Sequence, residues 1–325
     1  MKRKKPEGMQ WEEFVEDWHR YTHSGKVELS KMYGVTYETA KHWVSESGEA
    51  RPVSSEPIPV VESRYLPPPE RVNEPFIVTT TKTITKAVIL GDFHDPYADV
   101  RTNKLVENFV WEQQPDRVVF NGDLNDYYQV SDFDKDPKRL GQLQDDLDIT
   151  TNRFERYRER LPDAEFDFTE GTHENRWFKW LRKHAPALAG LRANSIEEMY
   201  KLDKYGVTYI PFERGMLVND TFLILHGDIV TKHSGATARA QFEKQGHNGI
   251  CNHTHRGGSF YKNDRFGIYG WYENFCMCRL DPDWLPNPNW VQGFSVVHFA
   301  PTGRYYVEQV PIIDHEFIYG GKIYK

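Results

Sequence analysis

Short apolar runs that each stop at a polar cluster set the rhythm of this chain. The first is Ala87-Val88-Ile89-Leu90, closed by Gly91 and followed at once by Asp92-Phe93-His94-Asp95. An unbroken apolar run of this length reads as a buried strand, and the glycine ends it. The pattern returns at Asp116-Arg117-Val118-Val119-Phe120-Asn121 and at Ala164-Glu165-Phe166-Asp167-Phe168-Thr169. Between them lie stretches of helical composition, from about Asn103 to Glu112 and from Gln142 to Arg160. Farther on the runs become more β-like, at Met216 to Leu225, Gly249 to Asn252, Phe294 to Phe299 and Tyr305 to Val310. Early βαβ units followed by a β-rich half predict an α/β (α+β) fold, with mixed sheets stacked in a sandwich under outer helices.

Ahead of these strands the pattern is different. Trp11, Phe14, Val15 and Trp18 fall on one face of a helix, within a small helical module from about Met9 to Val44. Val27 to Tyr33 reads as a short helix that Gly34 breaks, and Thr36 is placed to cap a further helix from Tyr37 to Val44. Helix, glycine turn, helix resembles the helix-turn-helix family over these two short segments. That resemblance implies DNA contact by the exposed face of the second helix, namely Tyr37, Glu38, Lys41 and His42. A three-helix bundle that only packs or binds protein fits the same pattern. From Ser45 to Glu74 periodicity vanishes, Ser, Glu and Pro dominate, and Pro67-Pro68-Pro69 stiffens the chain. The expected organisation is therefore a helical module over 1–46, a linker over 47–76 and a larger domain over 77–325.

Composition narrows the setting. The chain is 38% hydrophobic and 27% charged, with no apolar run long enough for a membrane span, so no membrane partner is expected. Met1-Lys2-Arg3-Lys4-Lys5-Pro6 lacks the apolar core of a signal peptide. A net charge of -7 leaves no whole-chain field that would draw the protein onto nucleic acid, so any such contact is local. Three cysteines, Cys251, Cys276 and Cys278, argue against a disulfide framework and for buried thiols in a reducing compartment, the cytoplasm.

The chemistry sits where the strands end. After the second strand comes Gly122-Asp123-Leu124-Asn125-Asp126, and after the third Gly171-Thr172-His173-Glu174-Asn175-Arg176. His226-Gly227-Asp228 follows Phe222-Leu223-Ile224-Leu225, and Asn252-His253-Thr254-His255-Arg256 follows Gly249-Ile250-Cys251. Strand ends on one side of a sheet converge, so five such clusters can gather round one point. Mixed Asp and His donors suit Mn, Fe, Zn or Ni and not calcium.

In this order the motifs resemble the signature of the calcineurin-like metallophosphoesterases, from about residue 85 to 310. The segment Asn289-Trp290-Val291-Gln292-Gly293-Phe294 is similar to one in bacterial and phage members, which points to a bacterial or phage-infected cell. The resemblance implies a four-layer αββα sandwich of two mixed sheets and a site for two divalent ions, with Mn favoured. Position by position it implies that Asp92, His94 and His255 hold the first ion and that Asp123 bridges both. His226 and His253 would hold the second, with Thr172 standing where the family has an asparagine. His173 would serve the leaving group, as acid or as donor to the phosphoryl oxygens. Asp95 and Asp126 would orient imidazoles or loops, and Arg176 and Arg256 would bind substrate phosphate. Two cations so held neutralise an anionic ester and acidify a water between them.

Two departures stand out. A Thr172 hydroxyl is shorter and a weaker ligand than an amide oxygen, so the second ion should bind less tightly. Asn252 replaces a glycine, and because asparagine tolerates a left-handed backbone the change is expected to be minor. The sequence thus points to a metal-dependent phosphoester hydrolase, with DNA or RNA the favoured substrate and a phosphomonoester also open. Tyr127-Tyr128 after Asp126 counts against the protein phosphatases, which carry Asp-Arg-Gly. The alternative is a nucleic-acid-binding or regulatory protein whose esterase site is weakened. The aromatic stretch from Trp271 to Trp290 reads as core, as a substrate-stacking wall or as an assembly surface. Oligomeric state is not encoded in any of these features.

Overall fold

The structure, a computed structural model, describes residues 23–46 and 74–325, together with Phe14, Val15 and Trp18. Trp11, the Lys2–Lys5 cluster and Pro67–Pro69 lie outside the described residues. The chain divides into two units, residues 1–70 and 71–325.

In the first unit, α1 (His23–Met32) and α2 (Tyr37–Glu46) flank a turn at Gly34, whose φ of +67° is open to glycine at little cost. Thr36 Oγ1 accepts the Thr39 N–H at 3.3 Å, as an N-cap should. Phe14, Val15, Trp18, Leu29, Ala40 and Val44 form the small core. Tyr37 belongs to that packing. Its half-buried ring stacks on Trp18 at 5.3 Å, so it is not the groove-facing side chain expected from sequence. Glu38, Lys41 and His42 are exposed.

The larger unit holds fourteen strands among its described residues, twelve of them in two mixed six-stranded sheets. One sheet runs β12 (Tyr305–Pro311), β11 (Gly293–Phe299), β2 (Thr85–Leu90), β3 (Arg117–Asn121), β4 (Glu165–Thr169), β5 (Val207–Ile210). The other runs β1 (Phe76–Val78), β6 (Met216–Val218), β7 (Phe222–Leu225), β8 (Asn248–Cys251), β10 (Gly267–Asn274), β9 (Gly257–Asp264). The period-2 rule explains the layering. Ala87 and Ile89 of β2 pack with Phe222 and Ile224 of β7 between the sheets. Val88 and Leu90 face the opposite side, against Val106, Phe109 and Phe154.

Phe109 and Phe154 come from α3 (Val100–Gln113) and α4 (Leu143–Arg160). Asp99 caps α3 by accepting the Thr102 N–H at 2.7 Å. On the far face of the second sheet, Leu223, Cys251 and Trp271 pack on Ala238 of a further helix, Ala236–Gln245. The result is the four-layer α/β/β/α sandwich. Trp271 is core.

Three elements depart from the sequence expectation. Met216 to Leu225 is a hairpin, turning at Asn219 and Asp220 with positive φ, and not one run. Phe76, expected to end the linker, opens β1 and pairs with Met216. The β9–β10 hairpin was not foreseen, because β9 is largely exposed and carries Ser259, Lys262 and Asp264 in place of an apolar run.

Candidate metal centre

β2, β3 and β4 are mutually parallel, as are β7 and β8, and the loops beyond their carboxyl ends meet. The backbone there is held in unusual conformations. Asp92, His94, Asp123, His253 and His255 all have φ between +51° and +76°. Each costs roughly 1–2 kcal/mol in a residue bearing a Cβ, so the surroundings must impose it. Backbone bonds do part of this: His94 N to Asp123 O at 2.9 Å and Asp95 N to Leu124 O at 2.8 Å carry the β2–β3 pairing into the loops. Glu174 does the rest. Its fully buried carboxylate accepts the N–H groups of Asp123, Leu124 and Gly171 at 2.8–3.0 Å and the Tyr200 hydroxyl at 3.1 Å. Gly171 is needed for the close approach, since a Cβ there would lie 2.2 Å from the Asp123 nitrogen. In the sequence Glu174 is only a letter of its motif. Its task as a clamp emerges from the fold.

Two groups of donors converge in this frame. In the first, His94 Nε2 and His255 Nε2 face each other at 2.9 Å, and Asp92 Oδ1 lies 3.8 and 3.5 Å from them. In the second, His226 Nε2 lies 3.0 Å from Asp123 Oδ2, and Thr172 Oγ1 lies 3.1 Å from Asp123 Oδ2 and 3.3 Å from His253 Nδ1. Asp123 Oδ2 is also 3.9 Å from His94 Nε2, which puts it between the groups. Three imidazoles present Nε2 because Nδ1 is engaged elsewhere. His226 Nδ1 donates to the Asn121 carbonyl at 2.8 Å, His94 Nδ1 faces Asp126 Oδ2 at 3.4 Å, and His255 Nδ1 faces Cys278 Sγ at 3.8 Å.

The charges are strongly interdependent. Burial disfavours a protonated His226, yet the Asp123 carboxylate beside it lifts its pKa to about 9. Burial likewise opposes His255, and the Asp92 carboxylate beside it raises its pKa. Burial would raise Asp92 and Asp123, but the surrounding imidazoles hold both well below the carboxylate range. His253, buried beside His226, falls to about 4 and is neutral. Two carboxylates held ionised in the interior favour positive charge between them.

Divalent cations fit this donor set. Asp92 Oδ1 is buried without a hydrogen-bond partner, and His226 Nε2 is buried with only the ionic contact to Asp123 Oδ2 at 3.0 Å. Both point into the space that the other donors share. Each triad, Asp92–His94–His255 and Asp123–His226–His253, brings its ligand atoms within 4.8 Å of one another. Oxygen and imidazole donors in this mixture match Mn, Fe, Zn or Ni. His255, Cys276 and Cys278 also lie within that distance, a grouping not visible from their spacing, but burial pushes the Cys278 thiol up and keeps it protonated.

The remaining residues divide. Asp126 sits 3.4 Å from His94 Nδ1 and 3.5 Å from His173 Nδ1, so it steers two rings. Asp95 turns away and accepts a two-pronged bond from Arg153 of α4 and the Thr150 hydroxyl, so it fixes a loop and no imidazole. Burial lowers the pKa of His173, whose Nδ1 donates to the Asp126 carbonyl at 2.9 Å while Nε2 accepts from Arg176 at 2.7 Å. His173 is therefore a neutral acceptor here, not a poised acid. Arg176 borders the cavity over the site, but Arg256 does not. Its guanidinium is buried against the carbonyls of Thr231 and Lys232, which corrects the expectation of phosphate binding. Asn252 is a second correction. Its φ is not positive, and its amide donates to Asp92 Oδ2 at 3.0 Å and accepts from Asn121 and Asn274. A single-sequence reading for turn propensity could not see this buried role.

Comparison with known proteins adds relatives but no chemistry. The chain is 28% identical over 263 residues to the Gene 54 protein of Mycobacterium phage D29, covering 74% of this chain and 98% of that one. It is 25% identical over 259 residues to the Gene 54 protein of Mycobacterium phage L5, with the same coverage. No family model matches the sequence. Among solved structures, a Vps29 single mutant from Entamoeba histolytica is 11% identical with a TM-score of 0.38, over 74% of this chain and 96% of that one. Vacuolar protein sorting 29 from Cryptosporidium parvum is 10% identical with a TM-score of 0.38, over 74% and 95%. At those scores the structural likeness carries no argument. The chain is thus similar to phage Gene 54 proteins over nearly their whole length, while the fold and donor set stand on its own geometry.

Proposed function

We propose that this protein is a calcineurin-like metallophosphoesterase, hydrolysing a phosphoester with two divalent cations, Mn being the favoured metal. One observation carries the proposal. Two donor triads meet across Asp123 Oδ2, with Asp92 Oδ1 buried without a hydrogen-bond partner inside them and His226 Nε2 buried beside the shared carboxylate. Asp92, His94 and His255 would hold one cation, and His226, His253 and Thr172 the other, with Asp123 shared. When bound, the pair neutralises the ester's charge and supplies an acidified water. Asp126 orients His94 and His173, and Glu174 holds the Asp123 loop. Arg176 binds the phosphoryl group. In doing so its guanidinium exchanges His173 Nε2 for a charged oxygen, a better partner, and frees that nitrogen to receive and pass a proton.

A nucleic-acid phosphodiester is the favoured substrate, supported by the helix–turn–helix of the first unit and its exposed Lys41 and His42. Free, buried Cys251, Cys276 and Cys278 support a reducing compartment. No described helix is long and apolar enough to cross a membrane. A binding or regulatory role is the second reading, favoured by Thr172 alone.

The test is hydrolysis of bis(4-nitrophenyl) phosphate with added Mn²⁺, beside a phosphomonoester control and the His173→Ala variant. The proposal expects Mn²⁺-dependent diester cleavage that falls at least about a hundredfold in the variant. Folded protein without turnover at any Mn²⁺ concentration would overturn it in favour of the binding role.

A further inference from the structure

The cavity over the donors has a chemistry of its own, and the substrate class inferred from it rests on the phosphoesterase reading above. About 500 Å³ in volume, it is bordered by His94, His173 and His255 at its base. Its walls are aromatic: Trp284, Trp290, Tyr97 and Phe133. Trp290 reaches the base directly, with its ring centroid 4.3 Å from that of His255. Arg139 is built into the wall. Its guanidinium carbon lies 3.7 Å from the Trp284 ring centre and 4.0 Å from that of Tyr128, and its Nε donates to the Tyr97 hydroxyl at 3.3 Å. A guanidinium held between rings fixes the Trp284 indole in place, and that indole, 38% exposed, keeps open surface on which a base can stack.

A second cavity of about 320 Å³ lies on the other side of the site, bordered by Thr172 and His253. The two cavities share Phe133, His173 and Arg176, so one trough crosses the donors. This second half carries more cations than anions, with Asp132, 3.3 Å from Lys183 Nζ, its one carboxylate. Arg176, Lys179 and Lys183 border it from the helix Glu174–His184, spaced three and four residues apart along one face, with Trp180 among them. A trough with cations spaced along one arm and flat aromatic faces in the other matches a polyanion carrying rings. In a chain of net charge -7 that match is local and not a property of the whole surface.

We infer that the substrate lies across the site as a single strand of nucleic acid. A base beside the scissile phosphate stacks in the Trp284–Arg139 pocket, and the backbone runs over Arg176, Lys179 and Lys183. The single strand follows from size and from geometry. The cavity admits one nucleotide unit and not a duplex, and stacking needs a base whose face is uncovered. A phosphopeptide would use the lysines but leave the aromatic arm without a function.

The test separates this inference from the hydrolase reading by measuring binding without turnover. Full-length protein in EDTA is titrated with a six-nucleotide thymidine strand and with its abasic counterpart, following tryptophan fluorescence. The strand with bases should bind about tenfold or more tightly than the abasic strand. Trp284→Ala should erase that difference, and Trp284→Phe should keep most of it, which excludes simple misfolding. Lys179→Glu with Lys183→Glu should weaken both strands alike and reduce the salt dependence. Equal binding of the two strands by the wild type, or a phosphopeptide bound as tightly as the thymidine strand, would overturn the inference. With Mn²⁺ added, hydrolysis without base preference overturns the pocket alone. Base-dependent binding without hydrolysis upholds the pocket and overturns the hydrolase.

Discussion

Thr172 is the residue on which the strength of the second metal position turns. Its hydroxyl reaches the right place, 3.1 Å from Asp123 Oδ2 and 3.3 Å from His253 Nδ1, but it is a weaker donor than an amide oxygen. Thr172→Asn should tighten the weaker Mn²⁺ equivalent about tenfold, or ~1.4 kcal/mol, and raise turnover; calorimetry and initial rates check both. Unchanged affinity would show that Thr172 is not the limiting ligand. Protons compete at the same atoms. The neighbouring carboxylates lift His226 to about 9 and raise His255 as well, so imidazolium excludes metal increasingly as pH falls through that range. Apparent Mn²⁺ affinity should therefore rise steadily from about pH 6.5 to about 8.5, and a flat profile would contradict the ligand assignment. Among residues the sequence was most legible where motif letters are also donors, as with His94, Asp123 and His253. It misled where a side chain's partner is remote. Nothing near Arg256 announces the carbonyls of Thr231 and Lys232, and nothing near Asn252 announces Asp92.

Among the elements, the site is a set of strand ends locked to helices behind them. The loop after β2 is tied to α4 through Asp95 and Arg153, both fully or nearly fully buried. Breaking such a pair strands a charge in the interior, at a cost of about 3–5 kcal/mol. Arg153→Met should lower stability by about that amount in denaturant melts and loosen metal binding through the displaced loop. A loss under about 1 kcal/mol would mean that the pair does not hold the loop. Buried strands such as β2 and β3 were legible because both faces are covered, so the run is continuously apolar. β9 was not, because solvent covers much of it, and β5 is only four residues long with an exposed Thr208.

Across the full chain, two units with separate cores are joined. If the first unit contributes only by holding nucleic acid, the two activities should separate. Removing residues 1–70 should leave bis(4-nitrophenyl) phosphate hydrolysis within about twofold of wild type and reduce cleavage of a DNA substrate at dilute concentration, as lost tethering requires. Equal loss on both substrates would show that the first unit supports the fold of the second. The Ser, Glu and Pro stretch is the sequence's signal for a boundary; its residues 47–73 lie outside the described residues, and Phe76, expected in the linker, opens β1.

The proposed chemistry depends above all on two cations sharing Asp123. A calorimetric Mn²⁺ titration near pH 8, with phosphodiester hydrolysis followed on the same sample, reads that sharing. Two equivalents per chain, with hydrolysis appearing as the second binds and both lost in Asp123→Asn, is the expected outcome. Absence of saturable Mn²⁺ binding, or binding and hydrolysis that survive Asp123→Asn, would refute the shared-carboxylate site.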